Sequence, residues 1–204
     1  SQSAVVDAPT SATLEPALQA PPARALYAPA EAGVALPAMT GWLLDQASRR
    51  GATVQTGTAV EALIESSGRI TGVKTALETL NADHVIIAAG VKAGEVLAPL
   101  GFNLPMNNNA GLILRSTPRP DLVHHAIMSP DVHFRQDPDG TLLMGEIFSG
   151  AFEPGRDIAA LRANVVARVE ARLGTTEPII VAQTSLGTRP MPADGMPAVG
   201  SIPG

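Results

Sequence analysis

One arginine stands in a setting suited to chemistry. Arg189 lies in Gly187-Thr188-Arg189-Pro190, an otherwise uncharged run. A guanidinium held rigidly beside proline can form two parallel N–H bonds to a carboxylate. The same arginine could equally be a surface residue, or an internal partner of Asp194 five positions on. His133 precedes the turn sequence Asp137-Pro138-Asp139-Gly140. A histidine there can donate to a carboxylate and can change charge near neutral pH, or it can be a half-buried structural residue of a strand. His124 and His125 are neighbours on an expected strand, so they point to opposite faces and do not suit joint metal ligation. Asp137 and Asp139 share a tight turn without the further regularly spaced oxygens of a calcium loop, and no metal site is expected. There is no Gly-x-Ser-x-Gly, and Ser149-Gly150 reads as a turn. Phe148 could wall a pocket, with core packing as the alternative.

These residues need elements to position them. The spacing of Met39, Trp42, Leu43 and Ala47 predicts a helix over 37–50, with Pro37 in its first turn and Gly51 past its end. Short strands are expected at Thr53 to Gln55, Ala59 to Glu65 and Ile70 to Thr75. The apolar run His84 to Ala89 reads as a strand buried on both faces. Further strands are expected at Leu112 to Arg115, His124 to Met128, Val132 to Gln136 and Thr141 to Phe148, the last two joined by the Asp-Pro-Asp-Gly hairpin. Ile158, Leu161, Val165, Val169 and Leu173 mark a second amphipathic helix, with Gly174 beyond it. A last strand, Ile179 to Gln183, leads into a Gly/Pro-rich tail. Residues 1–22, rich in Ala, Pro, Ser and Thr, read as a loosely held arm. The fold class is therefore α/β to α+β.

Composition bounds the function. The chain has 204 residues, 45% of them hydrophobic, enough for one sizeable core or two small ones. A net charge of -5 with no Lys/Arg run argues against nucleic-acid or polyanionic-membrane partners. Aromatic residues are only 3%, too few for base-stacking platforms. With no cysteine, disulfides, thiol nucleophiles and thiolate metal sites are excluded, so chemistry must come from oxygen and nitrogen groups or a cofactor. No apolar run reaches the roughly 18 residues of a membrane helix, and the cytoplasm is the expected location.

Four patterns occur in one order: a helix followed by Gly51-Ala52-Thr53-Val54 and Gly57-Thr58-Ala59-Val60, an apolar run ending Ala88-Ala89-Gly90, the hairpin within His133 to Gly145, and Gly187-Thr188-Arg189-Pro190 before Asp194-Gly195-Met196-Pro197-Ala198-Val199-Gly200. Together they resemble the D-amino-acid oxidase superfamily, particularly its glycine oxidase and sarcosine oxidase branch, from about Leu14 to Gly200. The resemblance implies FAD as cofactor and a small amino acid or amine as substrate. The reaction it implies is hydride transfer from the substrate α-carbon to the flavin, giving an imine that water hydrolyses. It implies that Arg189 binds the substrate carboxylate. It puts His133 where relatives have a tyrosine facing the substrate, a departure that bears on substrate preference. Val60 matches the residue whose backbone meets the adenine, and Ala88, Ala89 and Gly90 match the small strand end beside the flavin nucleotide.

Other features depart from the family. The G-x-G-x-x-G turn that holds the pyrophosphate in relatives is missing, as is their C-terminal loop against the isoalloxazine, so both ends of a longer protein are expected to be absent. Asn107-Asn108-Asn109 stands where relatives often have proline and a basic residue. The expected division is an arm at 1–22, a partial FAD-binding domain at 23–100, a mostly antiparallel substrate domain with flanking helices at 101–186, and a return to the FAD domain at 187–204. Two alternatives are a non-catalytic module that binds an amino acid without flavin, and a subunit whose FAD site a partner chain completes. An exposed apolar face would favour the second.

Overall fold

The structure is a computed structural model and describes residues 3–147 and 155–202. The chain divides into two compact units, residues 1–39 with 110–187, and residues 40–109 with 188–204. Phe148, Ser149 and Gly150 lie outside the described residues.

In the first unit, β1 (Ala4–Asp7) and β2 (Arg24–Tyr27) pair antiparallel around α1 (Ala8–Leu14). Asp7 caps α1, its carboxylate accepting from Thr10 N at 3.0 Å, and Pro9 suits the first turn. The expectation of a loose arm is therefore corrected. Glu15 is buried, Leu18 packs against the core, and Gln19 N donates to Arg172 O at 2.9 Å. Composition conceals this because the anchors are single residues between prolines.

α2 (Leu36–Arg49) follows as the sequence predicts, running from the first unit into the second. Its end is fixed by Gly51, whose φ of +92° permits the pair of bonds from Gly51 N to Ser48 O and from Ala52 N to Ala47 O, each 3.0 Å. In the second unit, β3 (Val60–Ser66), β4 (Arg69–Thr75) and β5 (Thr79–Asn81) form an antiparallel meander, and α3 (Ala93–Leu97) is a short helix.

Two strand expectations fail here. Thr53 to Gln55 and His84 to Ala89 pair with nothing among the described residues, and Ile86, expected to be buried, is 92% exposed. A β-branched run supplies propensity, but a strand exists only where a neighbour takes up its backbone groups.

The large sheet has the order β10-β6-β9-β8-β7, built from β6 (Met106–Ser116), β7 (Ile127–Met128), β8 (His133–Gln136), β9 (Leu142–Ile147) and β10 (Val181–Pro192). The strand expected from His124 is only two residues long, and the last strand runs on through the Gly/Pro-rich segment to Pro192. α4 (Ile158–Leu173) lies over this sheet. Asp157 caps its start, accepting from Ala160 N at 3.0 Å, and Gly174 ends it at φ +57°. Its Val165, Val169 and Leu173 join Leu112, Leu114, Phe134, Leu142 and Met144 in one buried cluster. This mixed α/β architecture with antiparallel sheets is the class expected from the sequence. Among the described residues no helix is long and apolar enough to cross a membrane.

Candidate functional site

The sheet of the first unit has two faces. Leu112, Leu114, Phe134, Leu142 and Met144 point into the core, so by alternation Ile113, Arg115, His133, Arg135, Leu143 and Gly145 point the other way. Register aligns Ile113, Gly145, His133 and Met128 across four strands, and puts Arg115, Leu143 and Arg135 in the next row. Glycine in the middle of the first row is required: a Cβ on Gly145 would stand 2.5 Å from His133 Nε2 and 2.9 Å from Leu112 O. The imidazole therefore lies over the Gly145 backbone. Beside it is a cavity of about 90 Å³ walled by Ile113, Ala126, Met128, His133, Arg135 and Leu143. It is mostly apolar, with His133 and Arg135 among its lining residues.

At the far end of the same face sits a charge network that the sequence reading misses. Asp137, buried at the hairpin, accepts from Arg135 Nε at 2.9 Å and from Arg115 Nη1 at 3.2 Å. Arg115 Nη1 also donates to Thr141 Oγ1 at 3.1 Å, and Arg135 Nη2 to Val34 O at 2.9 Å. Asp139 accepts from Thr141 Oγ1 and N, and the hydroxyl hydrogen bond, more than the nearby Arg115 charge, holds its carboxyl below the usual range. The available signal is the i, i+2 spacing of His133, Arg135 and Asp137 along one strand. Weighing the aspartates only as metal ligands passes it over.

His124 and His125 also differ from the expectation, for they precede β7. His125 Nδ1 lies 2.7 Å from Glu15 Oε1, and His124 N donates to Glu15 Oε2 at 3.1 Å. Buried Glu15 thus collects both and ties residues 8–19 to the rest of the first unit. Among the described residues no cluster of three or more His, Asp or Glu could hold a metal.

The remaining expected site residues belong to the second unit. Val60 opens β3 opposite Thr75 and is exposed. Ala88, Ala89 and Gly90 are exposed; Ala89 O accepts from Lys92 N at 3.1 Å, and Gly90, at φ +57°, has open space where a Cβ would stand. No strand pairing among the described residues joins Val60 to these three. Arg189, on β10, is exposed, and its side chain makes no hydrogen bond or ion pair among the described residues. The alternative partner Asp194 is occupied otherwise, its Oδ1 accepting from Met196 N at 3.0 Å in the turn around Gly195.

A helix-backed antiparallel sheet in the first unit and a three-stranded meander in the second are the frame that the described residues form. The chain belongs to the FAD dependent oxidoreductase (DAO) family, which it matches over residues 2–204. It is 29% identical over 149 residues to glycine oxidase of Pseudomonas putida, a match covering 71% of this chain and 40% of that protein. It is 31% identical over 173 residues to D-amino acid dehydrogenase of Cereibacter sphaeroides, covering 80% and 38%. The crystal structure of glycine oxidase from Geobacillus kaustophilus shares the fold with a TM-score of 0.86 at 22% identity, over 99% of this chain and 55% of that one. The chain thus spans about 40% of the length of the curated relatives it matches.

Proposed function

We propose that this chain serves FAD-dependent oxidation of an amino acid or secondary amine of the glycine, sarcosine or D-amino-acid type, with Arg189 as the carboxylate anchor. The observation that carries this reading is the unspent guanidinium of Arg189. The other arginines of interest, Arg115 and Arg135, are committed to Asp137, whereas the Arg189 side chain makes no hydrogen bond or ion pair, with Asp194 or otherwise, among the described residues. Two parallel N–H bonds would fix a carboxylate in position and orientation, so that the substrate α-carbon is presented in one geometry.

The residues fit FAD as a contact surface. Ala88, Ala89 and Gly90 expose backbone with no side chain larger than a methyl, which allows a flat or extended group to approach, and Val60 offers exposed backbone at a strand start. They bring no side-chain charge to a pyrophosphate. When bound, the flavin supplies the acceptor for the hydride leaving the substrate α-carbon. Within the first unit, His133 offers a polar edge and Ile113, Met128 and Leu143 an apolar wall to a small ligand. Water then adds to the imine product, releasing ammonia or an amine.

The test is the absorption spectrum of the purified chain after incubation with FAD and desalting, followed by turnover assays with glycine, sarcosine, D-alanine and proline. Arg189→Ala should weaken carboxylate substrates roughly tenfold to a hundredfold, as expected for lost charge-assisted bonds, and leave an amine without a carboxylate unaffected. Equal loss for both kinds of amine would remove Arg189 from this role.

One observation favours a second reading, in which a further polypeptide completes the cofactor side. Met39, Trp42, Leu43 and Leu44 of α2, together with Ile86, are exposed apolar residues. Trp42 is the chain's single tryptophan. Its emission would shift to the blue on adding a partner chain, and would stay unchanged if FAD alone suffices.

A further inference from the structure

Arg135 is held from two sides by the fold, and the reading above gives it no task. It stands two residues from His133 on the same face and walls the same cavity. Its guanidinium is used in two directions at once, Nε to Asp137 Oδ1 and Nη2 to Val34 O, each 2.9 Å. Asp137 is itself fixed from the other side by Arg115, so the fork cannot swing without breaking a buried carboxylate's bonds. The segment it reaches, residues 28–35 between β2 and α2, contains neither helix nor strand and is exposed from Pro29 onward. Gly33 lies directly over the arginine. A Cβ there would stand 2.9 Å from Arg135 Cδ, 3.1 Å from Nε and 3.3 Å from Cζ. The absent side chain at position 33 is what lets the backbone settle on the guanidinium plane.

We propose that Arg135 is a positioning residue: by bridging Asp137 and Val34 O under Gly33, it clamps residues 33–34 at the edge of the His133 cavity and so sets that cavity's affinity for substrate. The proposal rests on the reading of this sheet face as the substrate side. Lysine cannot replace the arginine, because a single ammonium cannot span a carboxylate and a carbonyl held on two sides of a planar fork. The clamp needs both partners, so it can be broken from either one: Arg135→Lys removes the fork, and Gly33→Ala keeps every charge but puts a methyl group where the guanidinium stem runs.

Two readouts test it on the full chain, each in variants shown by cooperative urea unfolding to be folded. The first is amide hydrogen exchange. Within residues 30–36 the Glu31 amide, bonded to Ala28 O at 3.0 Å, should exchange about tenfold faster in both variants, the effect of losing one charge-assisted bond, with α4 amides unchanged. The second is the dissociation constant for glycolate, a carboxylate probe that needs no turnover, which should rise roughly fivefold to tenfold in both variants. In an FAD-loaded preparation the same factor should appear in KM, with a smaller change in kcat. Unchanged exchange at Glu31 overturns the clamp. Faster exchange with unchanged glycolate binding overturns the positioning role while leaving the functional reading intact. If the wild-type chain binds no glycolate at all, the functional reading fails and the positioning role with it, and exchange still decides whether the clamp exists.

Discussion

The two units each receive apolar residues at regular spacing, yet their cores are very different. In the first, twelve buried residues from β6, β8, β9, α4 and the loops between them form one continuous cluster. In the second, Leu97 is the buried hydrophobic residue among those described, while Trp42, Leu43, Val54, Val60 and Ile86 remain exposed. Both α2 and α4 show apolar residues at helical spacing and both fold as helices. Only α4 has a sheet beneath its apolar stripe. Periodicity therefore reports that a face exists, and tertiary contact decides whether it is covered.

The largest expected effect tests that contrast. Leu112→Ala, at a fully buried position under α4, should cost about 2–5 kcal/mol. Leu43→Ala, on the exposed stripe of α2, should change stability by no more than about 0.5 kcal/mol. Urea unfolding followed by circular dichroism measures both. A large cost for Leu43→Ala would mean that its face is covered in solution, and the contrast would collapse in favour of the partner reading.

The same contrast explains what the sequence could show. Both long helices, the hairpin at Asp137 to Gly140 and the β3–β4 meander follow from local chemistry: spacing, caps and glycines past helix ends. The stretch His84 to Ala89 misleads because its strand propensity is real, but whether a strand has a neighbour is not written in the strand. The proposed anchor, Arg189, stands out in the sequence by its uncharged surroundings. In the Arg115, Asp137 and Arg135 network, the Arg135–Asp137 pair is local, but Arg115 joins it only through the β6–β9–β8 register. The Gly33 contact is not legible either, since it needs the path of residues 28–35 in space.

A smaller effect sharpens the account of why α4 is well made. Asp157 is exposed, and its carboxylate accepts from Ala160 N at the start of the helix. Asp157→Ala should lower the stability of the first unit by about 1 kcal/mol, with Asp157→Ser restoring most of it. If stability is unchanged, packing of Val165, Val169 and Leu173 alone holds the helix, and the cap contributes only its start point.

The smallest effect concerns acid. Asp7, Asp131 and Asp139 all belong to the first unit, and each has its carboxyl held below the usual value of 3.8, chiefly by side-chain hydrogen bonds from Thr10, Ser129 and Thr141. For Asp131 the Ser129 hydroxyl at 2.9 Å acts first, and Arg172 at 2.7 Å adds to it. A carboxylate whose folded pKa is depressed binds fewer protons folded than unfolded. Its contribution is therefore complete above 3.8 and fades as pH falls through the lower folded value. The urea midpoint of the first unit should hold steady from about pH 6 to about pH 4 and decline below that. Asp131→Asn should flatten part of that decline, by a small amount because the Arg172 pair is half exposed and screened. A decline of unchanged steepness in the Asp131→Asn variant would assign the acid limb to Asp7 and Asp139, at the cap of α1 and the β8–β9 hairpin.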